Sequence, residues 1–129
     1  MPAQTARPAI HPVALTFTAV VLAIIVVLSF LPATVVVPGK WNLGHAPAYA
    51  ALVASMIFAL ARTQRTPAAV ILIGLAASLL GGTIEFLQPL VGRSTSLVDF
   101  GYNEIGIVAA LAIFASYARV TGHTGWRRA

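Results

Sequence analysis

Four long apolar stretches run along this chain, and short polar or turn-forming segments separate them. Each stretch is close to the roughly 20 residues that an α-helix needs to cross a hydrocarbon core about 30 Å thick. Together they predict an all-α polytopic membrane protein, a bundle of four transmembrane helices that forms a single domain over residues 1–129. The predicted spans are Val13 to Leu31, Leu43 to Ala61, Ala68 to Gln88 and Leu97 to Ala118.

The ends of these helices carry recognisable signals. A threonine before Pro67 is typical of an N-cap followed by proline, and Ser96 with Asp99 matches a capping box. The second helix is less regular, because Pro47 would remove a backbone hydrogen bond inside it. We therefore expect a bent or re-entrant start near His45. The first stretch is longer than the apolar core of a signal peptide, so we expect it to be retained.

Composition agrees with a membrane environment. Hydrophobic residues make up 59% of the chain and charged residues 9%, whereas a soluble domain has about 45–50% and about 25%. The formal net charge is +5, but long uncharged runs separate the basic residues. This argues against the contiguous basic patch that nucleic acid requires and leaves the lipid bilayer as the expected partner. With no cysteine in the chain, disulfides and cysteine nucleophiles are excluded.

The basic residues predict the orientation, because cytoplasmic loops hold the excess of lysine and arginine. Lys40 and Arg93 are the basic residues on one side of the predicted bundle. The other side carries a larger set: Arg7, Arg62, Arg65, Arg119, Arg127 and Arg128. This imbalance predicts a multi-pass cell-membrane protein with both termini in the cytoplasm. The acidic residues then lie at or near the outer loop between the third and fourth helices: Glu85, Asp99 and Glu104.

Polar side chains inside the predicted helices gather toward the outer end. The third helix presents one face on which polar residues follow small ones: Ala77, Gly81, Glu85 and Gln88. The fourth helix presents a similar face at helical spacing: Asp99, Asn103, Gly106 and Ala110. The second helix adds a pair at i and i+4: His45 and Tyr49. Ionisable residues at membrane depth are costly and are functional candidates by default.

Most of these residues also have a purely structural interpretation. Asp99 is explained by helix capping alone, Asn103 by helix–helix hydrogen bonding, and His45 by an interfacial position. Glu85 is harder to explain in this way, because a buried acid is a costly means of stabilising a bundle. Glu104 lies off the polar face. The chain lacks a phosphate-binding loop, a zinc-binding H-E-x-x-H and a nucleophile elbow, so any chemistry must come from the outer cluster.

The same positions resemble a known signature. E-x-x-Q at 85–88, R at 93, S at 96 and D-x-x-x-N-x-x-G at 99–106 are similar to the outer-loop motif of the VanZ-like family of small integral membrane proteins. His45 and Tyr49 fit the His-containing start of an earlier helix in that family. The chain departs from the pattern at Trp41 and Asn42, where an Asp-Lys pair is common, and at Ala110, where glycine is usual. The resemblance implies a cell-envelope membrane protein, and the family's named member is associated with resistance to the glycopeptide teicoplanin.

These observations favour an outward-facing polar pocket that recognises a lipid-linked or cell-wall head group, or a glycopeptide acting there. Arg93, with Lys40, would contact phosphate or carboxylate. We expect no cofactor and no bound metal. The residues expected to line the pocket are Lys40, His45, Tyr49, Glu85, Gln88, Arg93, Ser96, Asp99 and Asn103.

Three alternatives come from other classes of protein. A membrane-embedded hydrolase or transferase acting on a lipid phosphate would use His45 as base or nucleophile and Glu85 or Asp99 to orient it. A second form of this hypothesis places a divalent metal on His45, Glu85 and Asp99. A proton-coupled transporter, assembled as a homodimer, would place its ionisable group near the midplane, whereas Glu85 lies about 27 Å of helix beyond Pro67. A scaffold subunit is supported only by the stripes of small residues.

Overall fold

The computed structural model describes residues 10–32, 34–35 and 42–122. Over these ranges the chain is all-helical, as the apolar pattern predicted, and it contains four α-helices. The α-helices are α1 (Pro12–Ser29), α2 (Asn42–Ala59), α3 (Pro67–Leu87) and α4 (Leu97–Val120). Short 3-10 helices lie on either side of α3: Arg62–Gln64 and Gln88–Val91.

The length and surface of the helices suit a membrane. In the part of the chain that the structure describes, three helical segments are long and apolar enough to cross a membrane: Pro12–Ser29, Pro67–Val91 and Leu97–Val120. The apolar stretch of α2, Gly44–Ala59, is shorter. Large hydrophobic side chains cover the outside of the bundle, and Leu79, Phe86 and Ile113 are 74%, 77% and 71% exposed. Because an exposed apolar surface of this extent would drive association in water, lipid is the solvent that fits it.

The central element is α2, which packs against each of the other three helices. Its residues Leu52, Val53 and Ile57 are fully buried. By contrast, α1 lies at the periphery: among its described residues it buries only Ile25, and it packs mainly against α2. The position of α1 therefore depends on α2 and on polar contacts at its C-terminal end.

The start of α2 differs from the sequence prediction. The helix begins at Asn42 and continues through Pro47, so the re-entrant start expected near His45 is wrong. Proline removes one backbone hydrogen bond here, and membrane helices tolerate this where neighbouring groups satisfy the freed carbonyl. As a result, His45 lies on regular helix one turn before Tyr49, and both side chains are at least partly buried in the bundle.

Small residues let the helices approach one another closely. Gly74, Ala77 and Gly81 are all buried on α3. One close approach joins α4 to α2, where a Cβ atom built on Gly106 would overlap the carbonyl group of Ala46. The backbones of α2 and α4 are therefore in direct contact one residue away from His45.

Side-chain caps begin α3 and α4 where the sequence predicts them. The hydroxyl of Thr66 accepts a hydrogen bond from the Ala69 N–H at 3.2 Å, and that of Ser96 accepts one from the Asp99 N–H at 3.1 Å. In a complete capping box the Asp99 side chain would also accept the Ser96 N–H. Here that N–H donates to Glu85 Oε2 at 3.0 Å instead, so only one of the two bonds of the capping box forms. The carboxylate of Asp99 is therefore not used to cap its own helix.

Candidate functional site

One end of the bundle, where α1 and α3 finish and α2 and α4 begin, carries most of the buried polar side chains. We call it the polar end. Glu85 is 4% exposed, Gln88 0%, Asp99 7% and Asn103 1%, and Tyr49 is 2% exposed. The structure thus brings together side chains that the sequence assigns to one site from three separate helices. With the half-buried His45 they form what we call the polar cluster: His45, Tyr49, Glu85, Gln88, Asp99 and Asn103.

A hydrogen bond between α2 and α4 lies at the centre of the polar cluster. His45 Nδ1 and Asn103 Oδ1 are 2.8 Å apart. Because the amide oxygen can only accept, Nδ1 is the donor in this pair. Gly81 of α3 makes room for the arrangement: a Cβ atom there would lie 3.0 Å from Asn103 Nδ2 and 3.2 Å from the Tyr49 hydroxyl. The missing side chain at Gly81 lets three helices meet around these polar groups.

Glu85 ties the end of α3 to the start of α4. Its Oε2 atom accepts the Ser96 N–H at 3.0 Å, and the Thr95 hydroxyl donates to its backbone carbonyl at 3.2 Å. The side chain also lies within electrostatic range of Asp99 and His45. Glu85 therefore has a structural partner for one carboxylate oxygen and faces the polar cluster with the other.

Gln88 and Arg93 reach toward α1. Arg93 Nη1 donates to the backbone carbonyls of Leu28 and Ser29 at 3.3 and 3.2 Å, and Gln88 Nε2 donates to Ser29 at 3.4 Å. The last carbonyls of a helix have no partner within it and carry the negative end of its dipole, so a guanidinium is well suited to them. Both residues thus position α1, a role that the residue pattern does not predict.

Several buried oxygen atoms at the polar end have no hydrogen-bond partner among the described residues. Four belong to the polar cluster, and one belongs to the half-buried Glu104. Most are acceptors on carboxylate or carboxamide groups, and native proteins seldom leave such atoms unpaired. The unpartnered atoms are Tyr49 Oη, Glu85 Oε1, Gln88 Oε1, Asp99 Oδ1 and Glu104 Oε1.

Sequence reasoning missed two features of the site. Glu104 was placed off the polar face, yet its Oε1 atom is buried. The C-terminal carbonyls of α1 also take part, through Leu28 and Ser29. The sequence signal for the contact at the end of α1 is Ser29, the polar residue that closes the apolar stretch of this helix. Lys40, which the sequence predicts as a ligand-binding residue, lies outside the described residues.

The described side chains do not suggest a metal centre. In the ranges that the structure covers, no group of three or more His, Asp or Glu side chains is arranged to hold an ion. His45 has Asn103 as its close partner rather than a carboxylate.

Comparisons with known proteins do not assign the chain to a family. No protein-family model, no curated protein and no solved structure matches it. The VanZ-like signature therefore stays a prediction from the residues.

We expect His45 and Asn103 to act as one energetic unit. His45→Ala and Asn103→Ala each leave a partner unsatisfied in a buried site, and each should destabilise the protein by about 1–3 kcal/mol. Their combination should cost less than the sum, because the second change removes the group that the first left unpaired. Unfolding of the purified protein and its three variants in detergent measures this coupling. Additive losses would show that the 2.8 Å contact contributes nothing.

Proposed function

We propose that the chain is a four-span membrane protein of the cell envelope, VanZ-like in character, with both termini in the cytoplasm and the polar end facing outward. In this proposal the polar cluster recognises the head group of a lipid-linked cell-wall intermediate, or a glycopeptide that acts at the same place. The six-to-two distribution of basic residues supports the orientation. The resemblance at residues 85–106 supports the envelope role.

The observation that carries the proposal is the chemistry of the unpartnered atoms. Glu85, Gln88 and Asp99 each present a buried acceptor oxygen without a partner among the described residues. Leaving such a group unsatisfied costs about 1–3 kcal/mol, and a ligand that supplies donors recovers part of that cost. Sugar hydroxyls and ammonium groups are donors of this kind. An acceptor-rich, buried cluster therefore favours a head group that carries hydroxyl or amino groups.

The surroundings of His45 favour binding over hydrolysis. A histidine that acts as general base is commonly oriented by a carboxylate, which also stabilises the imidazolium formed during the reaction. Among the described residues the hydrogen-bond partner of His45 is the neutral carboxamide of Asn103, while the carboxylate of Glu85 acts on the ring only electrostatically. The site is consequently better prepared to recognise a head group than to transfer a proton.

The orientation has a direct test. The chain contains no cysteine, so single cysteines introduced at the exposed Ser94 and Thr63 report the two ends of the bundle. We expect a membrane-impermeant maleimide to label Ser94→Cys in intact cells, and to label Thr63→Cys only after the membrane is opened. The reverse pattern would place the polar end in the cytoplasm and contradict the proposal.

Glu85→Gln tests the function while sparing the fold. Glutamine keeps an oxygen that accepts the Ser96 N–H but removes the charge and turns one acceptor into a donor. We expect cells that depend on the protein for glycopeptide tolerance to lose that tolerance, with normal amounts of protein in the membrane. Arg119→Ala, which removes a charge from an exposed position in the last turn of α4, is the control and should behave as wild type. Unchanged tolerance in Glu85→Gln would refute head-group recognition by this cluster.

A further inference from the structure

A cleft opens between α1 and α2 beside the polar cluster. Its volume is about 150 Å³. Ile24, Ile25 and Leu28 of α1 form an aliphatic wall, and Ala48 of α2 lies opposite. The polar residues that border it are His45, Tyr49, Ser29 and Arg93, so the cleft joins an apolar wall to one edge of the polar cluster.

We infer that this cleft holds part of the hydrocarbon chain of an anionic lipid whose phosphate lies against Arg93. The inference deepens the proposed function, because it names the ligand as a lipid phosphate and says how the lipid is held. The recognised head group would then lie over the polar cluster, and the chain would leave between α1 and α2 into the bilayer.

The size and lining of the cleft suit a hydrocarbon chain. An aliphatic cavity of about 150 Å³ stays dry and holds a molecule of about the size of benzene, so this cleft takes a segment of about six carbons. Ile24 is 51% exposed on the apolar surface of α1. The rest of a longer chain would therefore continue along the surface of α1 rather than into water.

Charge at the edge of the cleft suits a phosphate. Arg93 is a cation that borders the cleft, and its Nη1 atom is fixed by the carbonyls at the end of α1. Guanidinium groups bind phosphate through several N–H donors in one plane. An amphiphile with an anionic phosphate next to its chain matches both surfaces at once.

Photolabelling in vesicles tests the inference. The full chain is placed in phosphatidylcholine vesicles with a long-chain alkyl phosphate that carries a diazirine within its chain, and the labelled peptides are identified by mass spectrometry. We expect labels to concentrate at Ile24 and Leu28 over Ile113, which is exposed on α4. An alkyl alcohol of equal chain length, with the same diazirine, should label these positions far less, because it lacks the phosphate.

Two filled-cleft variants give the decisive comparison. Ala48→Leu puts a side chain into the cleft, and Gly44→Leu does so at a bordering position where a Cβ atom meets nothing within 4 Å. We expect each to reduce labelling of α1 by about tenfold, because fewer methylene groups of the probe would be buried. Ala109→Leu, the same change at an exposed position on α4, should label as wild type.

The outcomes separate this inference from the proposed function. Even labelling of all exposed helices, labelling unchanged by both cleft variants, or equal labelling by the alcohol would overturn it. Loss of labelling in the cleft variants, together with normal glycopeptide tolerance in Glu85→Gln, would keep the lipid site and refute head-group recognition. Unchanged labelling in the cleft variants, together with lost tolerance in Glu85→Gln, would refute the lipid site and keep head-group recognition.

Discussion

Gly106→Ala is expected to force α2 and α4 apart and to lower the amount of folded protein sharply. The added Cβ atom would overlap the carbonyl oxygen of Ala46 and lie 2.8 Å from the carbonyl carbon. A flexible side chain could rotate away from such a contact, but a helix backbone can only move as a whole. Overpacking a core typically costs about 1–3 kcal/mol and occasionally more. We expect the upper end of that range, because the shift also separates His45 from Asn103.

A matched glycine on the same helix provides the control. Gly101 also lies in α4, and a Cβ atom there would meet nothing within 4 Å. Gly101→Ala should be neutral or stabilise the protein by up to about 1 kcal/mol, because alanine favours helix over glycine. Thermal unfolding of both variants in detergent, with the yield of membrane-inserted protein, measures the difference. Equal stability of the two variants would show that α2 and α4 do not pack as closely as their backbones indicate.

The helices themselves could be predicted from the sequence almost completely. Predicted and observed ends differ by at most two residues, because the signals at Pro67 and Ser96 are local. Proline is favoured in the first turn of a helix, where its missing N–H would have no partner within the helix, and a hydroxyl before a helix bonds to the first N–H groups of that helix wherever the rest of the chain goes. Such features need no knowledge of tertiary packing.

The polar cluster could be predicted as a set of residues but not as a set of contacts. Spacing at i and i+4 places Asp99 and Asn103 on one face of a helix, yet it does not say which neighbour that face meets. Asn103 forms a hydrogen bond with His45. The Ser96 N–H, which a capping box would pair with Asp99, donates to Glu85 instead. These choices depend on the distances between helices, which are set by the close contact at Gly106 and by the space at Gly81.

The surroundings of Arg93 were beyond prediction for a different reason. Its partners are backbone carbonyls at the end of α1, far away in the chain, and backbone groups leave no trace in a pattern of residue types. The apolar run of α1 gave no sign of a face, since lipid and protein both accept aliphatic side chains. The cleft between α1 and α2 could not be predicted for the same reason, although its lining residues lie in predicted helices.

Arg93→Ala is expected to release the C-terminal end of α1 from the bundle. Within the described chain α1 buries little, so the bonds from Arg93 to Leu28 and Ser29 are a large part of what holds that end. A hydrogen bond to a charged donor contributes about 1.5–3 kcal/mol. Losing it should raise the population with a displaced α1 end by about tenfold or more. Arg93→Lys should recover part of the effect, because an ammonium still donates but lacks the planar fork.

Distances between spin labels measure this release. Val27 and Val98 are 61% and 60% exposed, so Val27→Cys and Val98→Cys place labels near the ends of α1 and α4 without disturbing the core, and the chain has no other cysteine. In nanodiscs the distance distribution should broaden in Arg93→Ala and remain narrow in Arg119→Ala. A narrow distribution in both would show that α2 alone holds α1. Broadening confined to Arg93→Ala would show that the guanidinium fixes the C-terminal end of α1 beside the cleft that it borders.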